Sequence, residues 1–254
     1  MNDRPPVVLL HAFPLDHRMW DDQVAALSGA GWRVEAWDLP GFGESTLPDA
    51  DPSLDYVADL IAERLVGRDS PTILGGLSLG GYVVMSLARR SPELLAGILL
   101  CDTKAVADTE AARVLRLSMA EAVEADPTSL GGILSSAVLP NLVGPTTHAE
   151  RPAVVARLTT ALAQARPTSV AWYQRAMSMR PDSHQDLARL TVPSLVLWGA
   201  EDVLSPAADQ ERMIDSLPCA RSVCIPRCGH LSALECPDEV SAALQVFLAD
   251  SWAG

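Results

Sequence analysis

Short β-rich apolar runs alternate with longer helical patterns along most of this chain, and that alternation restricts its fold more than any other feature. Residues 7–10, 33–37, 72–74, 96–100, 194–198 and 221–225 each read as buried strands, mostly bounded by Gly, Pro or Asp. Helical patterns separate them. Ser53 can cap a helix that gathers Val57, Leu60, Ile61 and Leu65 on one face, and Pro237 opens a last helix that buries Val240, Leu244, Phe247 and Leu248. Strands joined through helices pair in parallel, which predicts an α/β fold: a mostly parallel central sheet flanked by helices on both faces.

The rhythm breaks after the fourth predicted strand. Between residues 104 and 190 no strand is expected, and helical stretches near 109–125, 128–139, 151–164 and 168–179 follow one another, separated by Pro and Gly. This predicts one core in two parts, residues 1–103 and 191–254, with a helical lid inserted as residues 104–190. Val154, Val155, Leu158 and Leu162 recur at helical spacing and read as packing positions.

A chain of 254 residues that is 48% apolar can bury a large core within one domain and its insert. Acidic residues outnumber basic ones 32 to 19, for a net charge of -13 with no basic run. Such a field repels phosphate backbones and anionic lipid, so neither nucleic acid nor membrane is expected as a partner. Five cysteines, an odd number in a chain too large to need staples, suggest reduced thiols and a cytoplasmic protein. Cys219, Cys224, Cys228 and His230 lie near one another without the C-x2-C spacing of a zinc site, and no metal is expected. The polar start and the short apolar run at 7–10 suit neither a secretory leader nor a membrane span.

Gly76-Leu77-Ser78-Leu79-Gly80-Gly81 follows the predicted strand 72–74 directly and precedes a helical pattern. A sharp strand-to-helix turn there presents the Ser78 hydroxyl at the sheet edge, and small residues two before and two after let neighbouring backbone pass. The unpaired N–H groups of the helix start favour a developing oxyanion. A serine hydroxyl needs a base, and histidine suits that task near neutrality. Of the five histidines, His230 lies in a loop between the last strand and last helix, at the sheet end where Ser78 emerges. His11 and His17 lie just after the first strand, and His148 and His184 fall in or beside the insert. An acid to orient the base belongs at the end of another strand, which leaves Asp202, its neighbour Glu201, and Asp102.

With His11-Ala12-Phe13-Pro14 after the first strand and Asp38-Leu39-Pro40-Gly41-Phe42-Gly43-Glu44-Ser45 after the second, this serine turn resembles the α/β-hydrolase superfamily. Within it, the lidded small-ester hydrolases and enol-lactonases are most similar. Trp198-Gly199-Ala200-Glu201-Asp202 and Gly229-His230-Leu231 match the family's acid and histidine blocks, so the resemblance spans nearly the whole chain. It implies Ser78, Asp202 and His230 as the catalytic residues, and the amides of Leu79 and Phe13 as the oxyanion hole. It also gives His11 a loop-shaping role. Two departures stand out: Ala12 replaces a frequent glycine, and the first strand begins too early for the antiparallel pair found at the front of many members. The implied reaction is hydrolysis of a small-molecule ester or lactone through a serine acyl-enzyme, with no metal or organic cofactor. Enol-lactone, perhydrolase and carbon–carbon bond chemistry share these residues, and a catalytically weak receptor-like module shares the fold. Trp172 and Tyr173 in the insert are expected either to line an apolar pocket or to pack the lid helices together.

Overall fold

A computed structural model describes residues 4–252. Its sheet has six strands in the order β2-β1-β3-β4-β5-β6. They are β1 (Val7–Leu10), β2 (Val34–Trp37), β3 (Thr72–Leu77), β4 (Leu95–Cys101), β5 (Ser194–Gly199) and β6 (Ala220–Ile225), and every pairing is parallel. Helix α1 (Asp21–Gly29) joins β1 to β2, α2 (Leu54–Val66) joins β2 to β3, and α3 (Leu79–Arg90) follows β3. The chain steps outward from β1 to β2 and then back across β1 to β3. Right-handed crossovers therefore put α1 and α2 on opposite faces of the sheet. The C-terminal helix Pro237–Ser251 packs beside α1, and α3 packs beside α2. Because the strand order reverses between β1 and β3, the loops leaving their carboxyl ends diverge and open a crevice.

All six expected strands form, with β3 running on to Leu77. The expectation that each is buried holds for the central strands and fails at the edges. In β6, Arg221, Ser222 and Cys224 are exposed, as is Glu35 in β2, because an edge strand has a neighbour on one side alone. The helix expected from Ser53 forms as α2, with the Ser53 hydroxyl accepting from the Tyr56 amide at 3.3 Å.

No described residue between 104 and 190 is in a strand. Helix α4 (Glu110–Ala125), capped by Thr109, packs along the helix Pro167–Ser178, and Pro152–Leu162 lies between them in sequence. The helix expected over 128–139 is broken into Leu130–Ile133, a π-helical turn Leu134–Val138, and Leu139–Leu142. Gly131 and Gly132 weaken it, and Pro140 has no N–H to donate, so the backbone ladder slips to the wider spacing. Two further helices, Pro145–Glu150 and His184–Leu187, are too short to show a period in the sequence. Leu158 and Leu162 are buried, while Val154 and Val155 are half-buried against the core. Among the described residues no helix is long and apolar enough to cross a membrane.

Candidate active site

Ser78 sits where β3 ends and α3 begins, with φ 53° and ψ -109°. That left-handed backbone is strained for a residue with a Cβ, and its neighbours hold it in place. The Ser78 amide donates to the Cys101 carbonyl at 2.9 Å, and the Thr103 hydroxyl donates to the Ser78 carbonyl at 2.9 Å. The flanking glycines are required by close approach. A Cβ on Gly76 would lie 2.1 Å from the Gly80 carbonyl carbon, and one on Gly80 would lie 2.3 Å from the Leu10 carbonyl oxygen.

The loop after β6 brings His230 over this turn. Its Nε2 is 2.8 Å from Ser78 Oγ, and its Nδ1 is 2.8 Å from Asp202 Oδ2. A carboxylate can only accept, so Nδ1 carries the proton and Nε2 is left as the acceptor facing the serine. Asp202 Oδ1 accepts from the amides of Leu204 at 2.8 Å and Ser205 at 3.1 Å, and the Ser205 hydroxyl donates to Oδ2. Burial opposes the Asp202 charge, but His230 and the Ser205 donors outweigh it and hold the carboxyl below its usual range.

The two rival acids face elsewhere. Asp102, fully buried at the end of β4 with φ 43°, accepts from the Gly199 amide at 2.9 Å, from the Ser232 amide at 3.2 Å and from the Ser232 hydroxyl. It ties the end of β5 to the segment beyond His230. Burial, helped by the nearby Asp202 charge, pushes the Asp102 carboxyl well above its usual range. Glu201 turns to Thr146, accepting from its amide at 3.0 Å and its hydroxyl at 2.5 Å.

Phe13 and His11 occupy the loop after β1, beside the turn. His11 Nδ1 donates to the Ala12 carbonyl at 2.9 Å, and its Nε2 accepts from the Leu39 amide at 3.0 Å. Burial drives the His11 pKa down to about 4, which keeps the ring neutral and able to accept. Asp38 strengthens the link between the two loops, accepting from the His17 amide and Nδ1, each at 2.8 Å, and from the Glu44 amide at 3.0 Å. Ala12 is not among the residues with positive φ, so this loop has no need of glycine there. No described backbone carbonyl accepts from the Phe13 or Leu79 amide outside regular structure, and Leu79 is the first residue of α3.

Ser78 and His230 open into a cavity of about 190 Å³. Phe13, Leu142, Val138, Met177 and Leu204 supply apolar wall, and Tyr82, Asn141, Gln174, Lys104 and Arg116 supply polar groups. Sequence reasoning missed most of this lining. Trp172 and Tyr173 are not part of it. The Trp172 indole donates to the Ala50 carbonyl at 2.9 Å, and the Tyr173 ring stacks on Phe42 with centroids 4.9 Å apart. Both pack the helical segment between β4 and β5 against the rest of the chain. We therefore expect Tyr173→Ala to cost about 3–5 kcal/mol of stability. Tyr173→Phe should cost nothing, because the buried hydroxyl has no partner among the described residues. Thermal unfolding of both variants checks this.

Glu235 was also missed, since nothing in its sequence surroundings marks it. Its buried carboxylate accepts from the amides of Gly229 at 3.0 Å and Leu231 at 3.1 Å, one on each side of His230, and from Gly144 in the insert at 2.9 Å. Glu235→Ala would leave three buried N–H groups without their acceptor, each worth about 1–3 kcal/mol. The expected result is a lower melting temperature with kcat down about 10- to 100-fold. Glu235→Gln keeps one acceptor oxygen and should recover part of both.

Cys219 and Cys224 are exposed and Cys101, Cys228 and Cys236 buried, with the Cys228 and Cys236 side chains in hydrogen-bond contact. Among the described residues the geometry that could hold a cation occurs at Asp16, His17 and Asp38. Arg18 pairs with that Asp16, and His17 with that Asp38, so the group reads as a loop clasp.

Residues 7–243 match the model of the alpha/beta hydrolase family. The chain belongs to that family. It is 30% identical to the pimeloyl-[acyl-carrier protein] methyl ester esterase of Nitrosomonas europaea, with 92% of each protein covered. Among solved structures it resembles a thermophilic esterase from Thermogutta terrifontis described as malate bound, at 36% identity and a TM-score of 0.91, covering 97% of this chain and 90% of that one. The enol-lactonase of Burkholderia xenovorans LB400 is 25% identical with a TM-score of 0.85, covering 97% and 92%. The chain is thus an alpha/beta hydrolase and esterase-like.

Proposed function

We propose that this hydrolase cleaves small carboxylic esters or lactones through an acyl-enzyme on Ser78, with His230 as general base and acid and Asp202 as its orienting carboxylate. The observation that carries the reading is the unbroken line from Asp202 through His230 to Ser78, with 2.8 Å at each step, opening onto a cavity. In the first half-reaction Ser78 Oγ bonds to the substrate's carbonyl carbon as its proton passes to Nε2. The oxyanion is held by the Leu79 and Phe13 amides. Collapse expels the alcohol, which takes the proton from the imidazolium. Water then repeats the sequence, releasing the acid and restoring the serine. No step calls on a metal or an organic cofactor.

Relatives named as esterases favour ester cleavage, and the enol-lactonase likeness keeps lactones within the range. The insert, residues 104–190, acts in this reading as a lid that selects substrates, because Asn141, Leu142, Gln174 and Met177 line the cavity while the proposed chemical groups come from the core. Five free thiols suit a cytoplasmic setting. Labelling with a fluorophosphonate, followed by a panel of esters and lactones, tests the function. A single adduct on Ser78 with turnover of panel members is expected. Neither adduct nor turnover would overturn it.

A further inference from the structure

Basic residues are outnumbered 19 to 32 in this chain, yet the cavity in front of Ser78 is lined by Lys104 and Arg116 and by no Asp or Glu. Lys104 is the one lysine of the sequence. It stands two residues beyond Asp102, past the end of β4, half-buried at the wall the cavity shares with an adjoining cleft. Its ammonium donates to the Leu204 carbonyl at 3.0 Å, and no described carboxylate forms an ion pair with it. An ammonium has three N–H donors, so two remain for solvent or a bound ligand.

The Asp202 carboxylate lies behind His230 and does not line the cavity, and the other charges nearby are mostly basic. Arg116 bonds to Asp108 at 2.5 Å and to Gln174 at 3.1 Å, while Arg180 bonds to the same Asp108 at 2.8 Å. One carboxylate between two guanidiniums leaves a positive charge over. Lys104 and Arg116 therefore make the cavity wall basic inside a strongly negative protein, with Arg180 in the adjoining cleft. Lys104 keeps its ammonium exposed beside the cavity, where a hydrophobic side chain would line a pocket for neutral esters better.

We propose that the cavity takes esters bearing a carboxylate remote from the scissile bond, and that Lys104 binds that carboxylate. This rests on the reading of Ser78 as an esterase nucleophile. The anion has to be remote, because the carbonyl end of the substrate lies against Ser78 and the Phe13 and Leu79 amides, where negative charge develops during reaction. Asn141 and Gln174 line the same cavity and supply amide groups for the remaining lone pairs of a bound carboxylate.

The test compares kcat/KM for 4-nitrophenyl esters of equal length ending in methyl, carboxylate or ammonium: the hexanoate, the adipate monoester and the 6-aminohexanoate. A second pair, the butyrate esters of 3-hydroxybenzoate and of 3-methylphenol, carries the charge on the alcohol side. The expected result is a preference of about 10-fold or more for the carboxylate in at least one series, shrinking as salt is raised. Lys104→Met should bring that ratio to about one, Lys104→Arg should keep it, and Lys104→Glu should turn the acyl series toward the ammonium ester. A wild-type ratio near one in both series, or a ratio unchanged by Lys104→Met, overturns the role of Lys104 and leaves the esterase reading standing. Absence of all turnover together with absence of a Ser78 adduct removes both.

Discussion

Replacing Ser78 by alanine should lower kcat on any ester the enzyme turns over by about 10⁴-fold or more while leaving the fold intact. In the proposed mechanism Oγ is the atom that bonds to the acyl carbon; His230 Nε2 faces it at 2.8 Å, and the neighbouring hydroxyl of Thr103 is held by the Ser78 carbonyl. The substitution keeps the contacts that fix the turn, because the bonds to Cys101 and from Thr103 involve Ser78 backbone atoms. It leaves the strained φ of 53° as it was and opens no core cavity, since Ser78 is half-buried at the cavity floor. His230 keeps its bond to Asp202. Steady-state kinetics and thermal unfolding of the purified variant are the measurements. A folded variant retaining most of its turnover would take Ser78 out of the mechanism.

The part of this site that could be read in advance is the part fixed by local chain geometry. A serine at position 78 between Gly76 and Gly80 has a sharp turn to itself, and the structure shows why, with backbone from Leu10 and Gly80 filling the space a Cβ would need. The choice between Asp102 and Asp202 could not be made locally. Both follow the carboxyl ends of paired neighbours, β4 and β5, and only the direction of each side chain separates them. In Asp102 a left-handed backbone turns the carboxylate toward Gly199 and Ser232, away from the imidazole. Lys104, Arg116 and Gln174 escaped because a cavity wall assembled from a loop and two helices has no period in sequence. A signal for Lys104 was nonetheless present: a single lysine in 254 residues, just past the end of a central strand, is a compositional outlier at the edge where such folds bind ligands. Trp172 and Tyr173 invited the opposite error. Large aromatics between two distant strands suggest a pocket wall, whereas here they pack their helix against Ala50 and Phe42.

Asp202→Asn should lower kcat by about 10⁴-fold, and the hydrogen bonds around the carboxylate say why the damage is chemical. The carboxylate receives four donors: the Leu204 and Ser205 amides on Oδ1, and the His230 ring and the Ser205 hydroxyl on Oδ2. An asparagine must set its NH2 group on one side or the other. At the Oδ1 position it would confront two backbone N–H groups that cannot reverse, leaving buried donors facing donors. At the Oδ2 position it meets a hydroxyl that can rotate and an imidazole that can change tautomer, so this orientation wins. Nδ1 then has to accept, the proton moves to Nε2, and the nitrogen facing Ser78 becomes a donor with no capacity to take the serine's proton. Asp102→Asn offers the contrast. Its carboxylate also accepts from a backbone amide on each side, Gly199 and Ser232, so either orientation leaves a clash of donors and about 1–3 kcal/mol of stability is lost. It does not touch His230, so kcat should change far less. Measuring kcat and melting temperature for both variants separates the two roles. If Asp102→Asn destroyed turnover in a folded protein while Asp202→Asn spared it, the assignment of the orienting acid would pass to Asp102.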